Sequence, residues 1–207
     1  MARHKIVNMK AIEYNILKTV LQLLVDRIPD IAREYGVKHS EIQIAPSYPS
    51  DLTKIKKPSI IVRKVDTEQH KVGFGGIAGH YLNEDNAWVD VLGKFHCVMM
   101  QFDIVTANNT DRELLKSVIA DGIINQIQYQ ELNAIALKDY TQDGNPEVGI
   151  VKLIGDPKIR DLDNIVPTDS RYVGVVRQQF KVIQTILPKY EYVDLTKWIK
   201  QHIDVKL

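Results

Sequence analysis

Three sets of residues have the types that do chemistry, and each chemistry sets a requirement on its neighbours. Asp143, Asp156 and Lys158 have the outline of a metal-dependent nuclease, an acid followed downstream by acid-x-Lys. That reaction needs its acid and lysine on one strand face, so that both reach the metal-bound water. Pro157 stands between Asp156 and Lys158, directly after Gly155, so the stretch reads as a turn. The glycine-rich run GFGGIAG, Gly73 to Gly79, suggests phosphate binding. A dinucleotide loop opens a helix whose N-terminus holds the phosphate. Here Tyr81-Leu82-Asn83 and a strand follow instead, and the Gly-Lys-Ser/Thr of a P-loop is missing.

The third set is the histidines and the cysteine. His4, His39, His70, His80, His96 and His202 form no His-x-x-x-His or His-Glu-x-x-His pair, so metal-ligand spacing is lacking. His96 and Cys97 are adjacent on a strand, where successive side chains point to opposite faces, so adjacency does not make them a nucleophile–base pair. His96 is expected on the polar rim and Cys97 as a buried structural thiol. The expectation is a protein without catalytic residues, metal or cofactor. A metal-dependent nuclease and a nucleotide-binding module remain the readings of a different class.

Composition bounds the partners. The 207 residues suit one domain with extensions, and 44% hydrophobic content can bury a sizeable core. A formal net charge of +1 argues against a dedicated, sequence-specific nucleic-acid binder. One cysteine excludes an intrachain disulfide. The opening MARHKIVNMK has no apolar signal core, and no apolar run approaches about 18 residues, so no membrane partner is expected. The expected setting is a reducing cytoplasm.

The elements that must position these residues follow from periodicity. Ile12, Ile16, Leu17, Val20, Leu21, Leu24, Ile28 and Ile31 recur at three- and four-residue intervals, predicting a helix over 9–27. Pro29 ends or kinks it, with a further turn or two to Tyr35 and Gly36 as the stop. Short strands follow at 41–45 and 59–66. Residues 67–86 read as a flexible loop, or as a hairpin extending the strands on either side. Trp88 to Val105 is one very long strand, roughly 55 Å at about 3.3 Å per residue. Its apolar side is odd up to Cys97 and even from Val98, with Gln101 and Asp103 opposite, which places a bulge or bend near Cys97 to Met99. Thr110 and Glu113 have capping-box spacing, so a helix is expected from Asp111. Gly122 within that helix costs about 1 kcal/mol relative to Ala, which close packing against a neighbour would explain. Strands at 148–154 and 172–187 follow, separated by a loop over 155–171, and a short helix capped by Asp194 and carrying Trp198 closes a C-terminal extension, 188–207.

The fold class expected is α/β (α+β): a mixed, mostly antiparallel sheet packed by two main helices, with long strands and a projecting loop or arm. Residues Leu52 to Val65 carry Lys54, Lys56, Lys57, Arg63 and Lys64 without an acid. The run is a solvated face, or it meets an acidic patch such as Asp156, Asp161, Asp163 and Asp169 on a like subunit, which would favour head-to-tail association.

The strand ending in FDIV, turning through Ala107-Asn108-Asn109 into TDRELLKSVIADGIINQI, together with the late strand RYVGVVRQQFKVIQTI and the opening helix, resembles the tail terminator or tail-completion proteins of long-tailed bacteriophages. The likeness covers about half the chain. It implies a structural virion protein that assembles as a ring, usually a hexamer, on the last ring of the tail tube. There it stops tube growth and offers the head-joining surface. Its partners would be further copies of itself, the tail tube protein, a neck or head-completion protein and the tail sheath. It assigns no catalytic residue. Another neck or baseplate component would read similarly. Contacts are expected at Lys56, Lys57, Arg63, Lys64, Phe74, His80, Tyr81, Asp161 and Asp163.

Overall fold

A computed structural model describes residues 11–37, 42–50, 54–72, 76–82, 86, 88–130, 133–162 and 172–186. Helix α1 spans Ile12–Glu34. Ile12, Ile16, Val20, Leu24 and Ile28, four apart, form its buried stripe, and each such side chain contributes about 1.5–3 kcal/mol on burial. Pro29 lies inside the helix on its exposed side, and Gly36 follows with φ +79°, a conformation that L side chains rarely adopt.

The remaining elements are β1 (Gln43–Ala45), β2 (Ser59–Lys71), β3 (Ile77–Leu82), β4 (Trp88–Thr106), α2 (Asn109–Ser117), a π-helical segment Val118–Asn125, α3 (Gln126–Gln130), β5 (Ala134–Lys138), β6 (Glu147–Asp161) and β7 (Tyr172–Ile186). Among the described residues the seven strands form one sheet in the order β1-β2-β4-β7-β6-β5, with β3 also on β4. Only β1–β2 is parallel. The helices cover one face. There Val98, Met100, Phe102, Ile104, Val176, Phe180 and Val182 join the buried side chains of α1, α2 and the π segment in one core. The α+β class with two main helical stretches on a mixed sheet is what the sequence implied.

Residues 67–86 are not a loop in the main. β2 runs on to Lys71, and β3 pairs with β4 along the same edge, Ile77 opposite Leu92 and Leu82 opposite Trp88. The hairpin reading is the one that holds for the described residues: β2 and β3 are two stretches of an outgoing strand, both paired with the return strand β4. Similarly, β6 continues past Ile154 through a two-residue irregularity, so that Ile154 faces Gln179 and Lys158 faces Arg177. The expected loop over 155–171 therefore starts too early. Gly155 and Pro157 make a bulge within a strand, and β5 is an element that the periodicity does not predict.

Strand β4 carries no bulge on its long ladder with β7, which is unbroken from Leu92–Ile186 to Thr106–Tyr172. The irregularity lies across from it in β2, where Lys64 faces Met100 and Asp66 faces Met99, leaving Val65 extra. The change of parity is a change in what covers each face. Val89 and Val91 are buried near the tip, and Val98 onward is buried under the helices. Gln101 and Asp103 lie on the face opposite the helices yet are only 3% and 1% exposed, because the Arg177 and Arg63 side chains bond to them there. The switch falls before Cys97, so His96 is buried with Nε2 2.8 Å from the Gln184 Oε1, while Cys97 is half-buried. His96 is thus buried instead of on the rim, and Cys97 is only partly buried.

The cap of α2 is Asn108, two residues before Thr110. Its Oδ1 accepts from the Asp111 N–H at 2.8 Å, and its Nδ2 donates to the Asp111 carboxylate at 2.6 Å. Packing accounts for Gly122: a Cβ there would lie 2.4 Å from Ile31 Cγ2.

Candidate functional site

Two regions of the sheet lie outside the helix-covered core. The first is the far end of the β2–β3–β4 hairpin, flanked by β7. Leu82 and Trp88 face each other there at 50% and 64% exposed, and Leu92 and Ile183 are also uncovered. His80 Nδ1 and Asp90 Oδ1 sit 2.6 Å apart beside them. Gly93 admits no side chain, since a Cβ would meet Ala78 at 2.6 Å, and this holds the interrupted outgoing strand close on the return strand.

The second region is the sheet face opposite the helices. The register aligns Arg63, Gln101, Arg177 and Lys158 in one row across β2, β4, β7 and β6. Arg177 Nε donates to the Gln101 Oε1 at 2.6 Å, and Gln101 Nε2 donates to Asp103 Oδ1 at 2.5 Å. Arg63 Nε lies 2.7 Å from the buried Asp103 Oδ2, and its guanidinium sits 5.5 Å from the centre of the Tyr48 ring. Burial first, then the neighbouring Asp103 carboxylate, pushes the Tyr48 phenol well above the ordinary tyrosine range. Beyond this row is a shallow cleft of about 250 Å³. Cys97, Met99 and Gln179 lie within it, with Asp66 and Glu68 from β2 and Lys158 and Arg160 from β6 at its sides.

No protein-family model and no curated protein matches the chain. The geometry of the site is therefore what bears on its role.

The expected contact residues separate. Arg63 belongs to the uncovered sheet face, whereas Lys64 points to the helix side and pairs with Glu13 of α1. Lys56 is exposed and Lys57 half-buried in the segment before β2. His80 is on the hairpin, and Tyr81 pairs there through its backbone with Val89. Asp161 is held within the chain: Lys116 Nζ donates to it at 2.6 Å, and Arg112 Nε lies 3.6 Å away. Burial works against the Lys116 ammonium, but Asp161 and Glu113 together outweigh it and leave the pKa above its ordinary value. Gly174 lets these two cationic stems lie flat on β7, with 2.9 Å from its notional Cβ to Lys116 Cδ. Asp161, 40% exposed, thus already has two cationic partners within the chain. Phe74, Asp163, Asp169, His4, His39, His202 and the C-terminal extension lie outside the described residues.

The residues missed as a set are Asp66, Glu68 and Arg160, with Lys158 noticed only as a nuclease candidate. Their signal was present as i, i+2 pairs of like charge, but only the register shows that both pairs stand on one face. Among the described residues no group of three or more His, Cys, Asp or Glu is placed to hold a metal ion. No described helix is long and apolar enough to cross a membrane. A second cleft, about 320 Å³, lies between the end of α1 and the π segment, lined by Glu34, Tyr35, Asp121 and Tyr129 among others. π-Helical turns often accompany functional sites.

Proposed function

We propose that this protein is a structural, self-associating component of a bacteriophage tail, a ring-forming terminator that caps the tail tube and offers the head-joining surface. The observation that carries the reading is the hairpin end. Strands β3 and β4 run on past the end of β7 and leave Leu82, Trp88 and Leu92 exposed on one face toward the tip. Large apolar side chains clustered outside a core mark surfaces that another protein covers. A sheet extension of this length costs backbone ordering that its own packing returns only in part, and contact with a neighbouring subunit or the tail tube supplies the rest.

The reading involves no catalytic group, metal or cofactor. Its partners are further copies of the chain, the tail tube protein and a neck or head-completion protein, with the tail sheath alongside, and its place is the virion. The test is the native mass of the purified protein at low ionic strength, followed by electron microscopy of the assembled fraction. A closed ring, six-membered above all, supports the proposal, and a monomer at every concentration overturns it. Binding to isolated tail tubes rather than to baseplates separates a terminator from a baseplate component.

A further inference from the structure

Both edges of the sheet carry a stretch of strand that lacks a neighbour among the described residues. On one side, β1 covers β2 only over Ser59–Ile61, so β2 is an open edge from Val62 to Lys71. On the other side, β5 covers β6 only up to Lys152. Side chains then cap the next few groups: Asn133 bonds both backbone groups of Leu153, and Gln128 donates to the Gly155 carbonyl. From Lys158 to Asp161 the outer side of β6 is open. Unpaired strand edges are templates for another strand.

The two edges match. Successive antiparallel pairings β2–β4–β7–β6 make β2 and β6 run in opposite directions. A second copy continuing the same sheet therefore brings its β6 against β2 in antiparallel fashion, with no reversal needed. Asp66 and Glu68 stand on the sheet face opposite the helices, as the register to Met99 and Cys97 requires, and Lys158 and Arg160 stand on that same face through Arg177 and Val175. Antiparallel alignment sets Glu68 opposite Lys158 and Asp66 opposite Arg160. Val65 and Ile159, 46% and 49% exposed, lie on the same two edges.

We infer that copies of this chain join edge to edge, the β2 edge of one extending the sheet of the next through its β6 edge, with Glu68 facing Lys158 and Asp66 facing Arg160. The contact is head-to-tail, which closes into a ring when the rotation permits. It rests on the self-associating reading above, and it puts exposed strand-edge charges in place of the Lys56/Lys57-to-Asp161 contact. Within the chain Glu68 meets the exposed His70 ring at 3.2 Å, a surface pair that a closer cation displaces at little cost.

The experiment uses the full chain and two single variants, Glu68→Lys and Lys158→Glu, each checked for an unchanged melting temperature. Sedimentation at low salt then reads assembly. Each variant alone places like charges across every contact, and its self-association is expected to weaken about tenfold or more. Mixed one to one, the two variants alternate, every contact again has opposite charges, and assembly returns. Pairing across the cleft within one chain would not give that rescue. Wild-type assembly with both variants undiminished overturns the inference and leaves the ring reading standing. Impaired variants that the mixture does not rescue overturn it too, and assign these edges to a different partner. A wild-type chain that never assembles overturns both.

Discussion

Asn15 on α1 and Asp139 just after β5, 124 residues apart in sequence, are joined by a buried hydrogen bond of 3.0 Å from the Asn15 Nδ2 to the Asp139 Oδ1. The same asparagine accepts from the Tyr140 N–H at 3.0 Å through its Oδ1, so both ends of its amide are used. Asp139 also accepts from the Thr141 N–H and hydroxyl and from Gln142. This clamp fixes the N-terminal helix to the edge of the sheet that carries β5 and β6. Replacing Asn15 by Leu keeps the volume near its present value but leaves a buried carboxylate and a buried N–H each short of a partner. The expected loss is about 2–4 kcal/mol, read from urea unfolding, whereas an effect under about 0.5 kcal/mol would show the clamp to be incidental.

The same carboxylate sets a pH dependence. The bonds from the Thr141 hydroxyl and N–H, then those from Asn15 and Gln142, hold the Asp139 pKa below the ordinary carboxylate value against the opposing effect of burial. A folded pKa depressed in this way gives stability that is present above the unfolded value of about 3.9, and it is lost as pH falls through the folded one. The stability difference between wild type and Asp139→Asn is therefore expected to be flat from about pH 5 to 8 and to shrink below about pH 4. A difference that grows on acidification would contradict the assignment.

Gly122 tests packing against propensity. Alanine in a helix gains about 1 kcal/mol over glycine, but its Cβ would stand 2.4 Å from Ile31 Cγ2, and overpacking costs about 1–3 kcal/mol. Gly122→Ala is expected to destabilise by about 1 kcal/mol net. In an Ile31→Ala background, where that methyl is gone, the same change should become neutral or stabilising. The coupling is measured by a double-mutant cycle.

Lys116 is expected to contribute through charge more than through packing. Lys116→Met keeps most of the stem over Gly174 and removes the contacts to Asp161 and Glu113 at 2.6 and 2.8 Å. Because those partners are 40% and 50% exposed, the loss is expected to stay near 1 kcal/mol and to narrow in high salt. Thermal melts at two ionic strengths check both points.

At the hairpin end, Trp88→Ser with Leu92→Ser removes two apolar side chains that are 64% and 39% exposed. The melting temperature of the unassembled protein is expected to change by no more than about 2 °C. Self-association or tail-tube binding is expected to fall by at least tenfold, measured by sedimentation and by co-pelleting with tubes. A large drop in melting temperature with binding intact would place these residues in the core instead.

Periodicity was enough for the existence of α1 and of the long strands β4 and β7, because side-chain alternation and helical spacing are local properties of the chain. Yet α1 runs on through Pro29 to Glu34 instead of ending near residue 27. Periodicity also located the packing constraint at Gly122, since a glycine inside an apolar helical stripe weakens the helix unless a neighbour packs too close for a side chain. The parity switch in β4 was legible too, but its cause was not. An extra residue in the strand and a change in what covers it leave the same mark in sequence, and only the unbroken ladder to β7 distinguishes them.

What the tertiary structure decided is which strands support which. Local reading left 67–86 open between a loop and a hairpin and took Gly155-Pro157 for a loop. The pairing of β2 and β3 with β4, and of β6 with β7, decides both. The cap shifted from Thr110 to Asn108 because several short polar residues in a row can each serve, and the direction of entry from β4 selects one. Asp66, Glu68, Lys158 and Arg160 are scattered charges in the sequence. They became two matched pairs on opposite edges of one sheet face because the register across β2, β4, β7 and β6 is set by long-range pairing, which no residue encodes by itself.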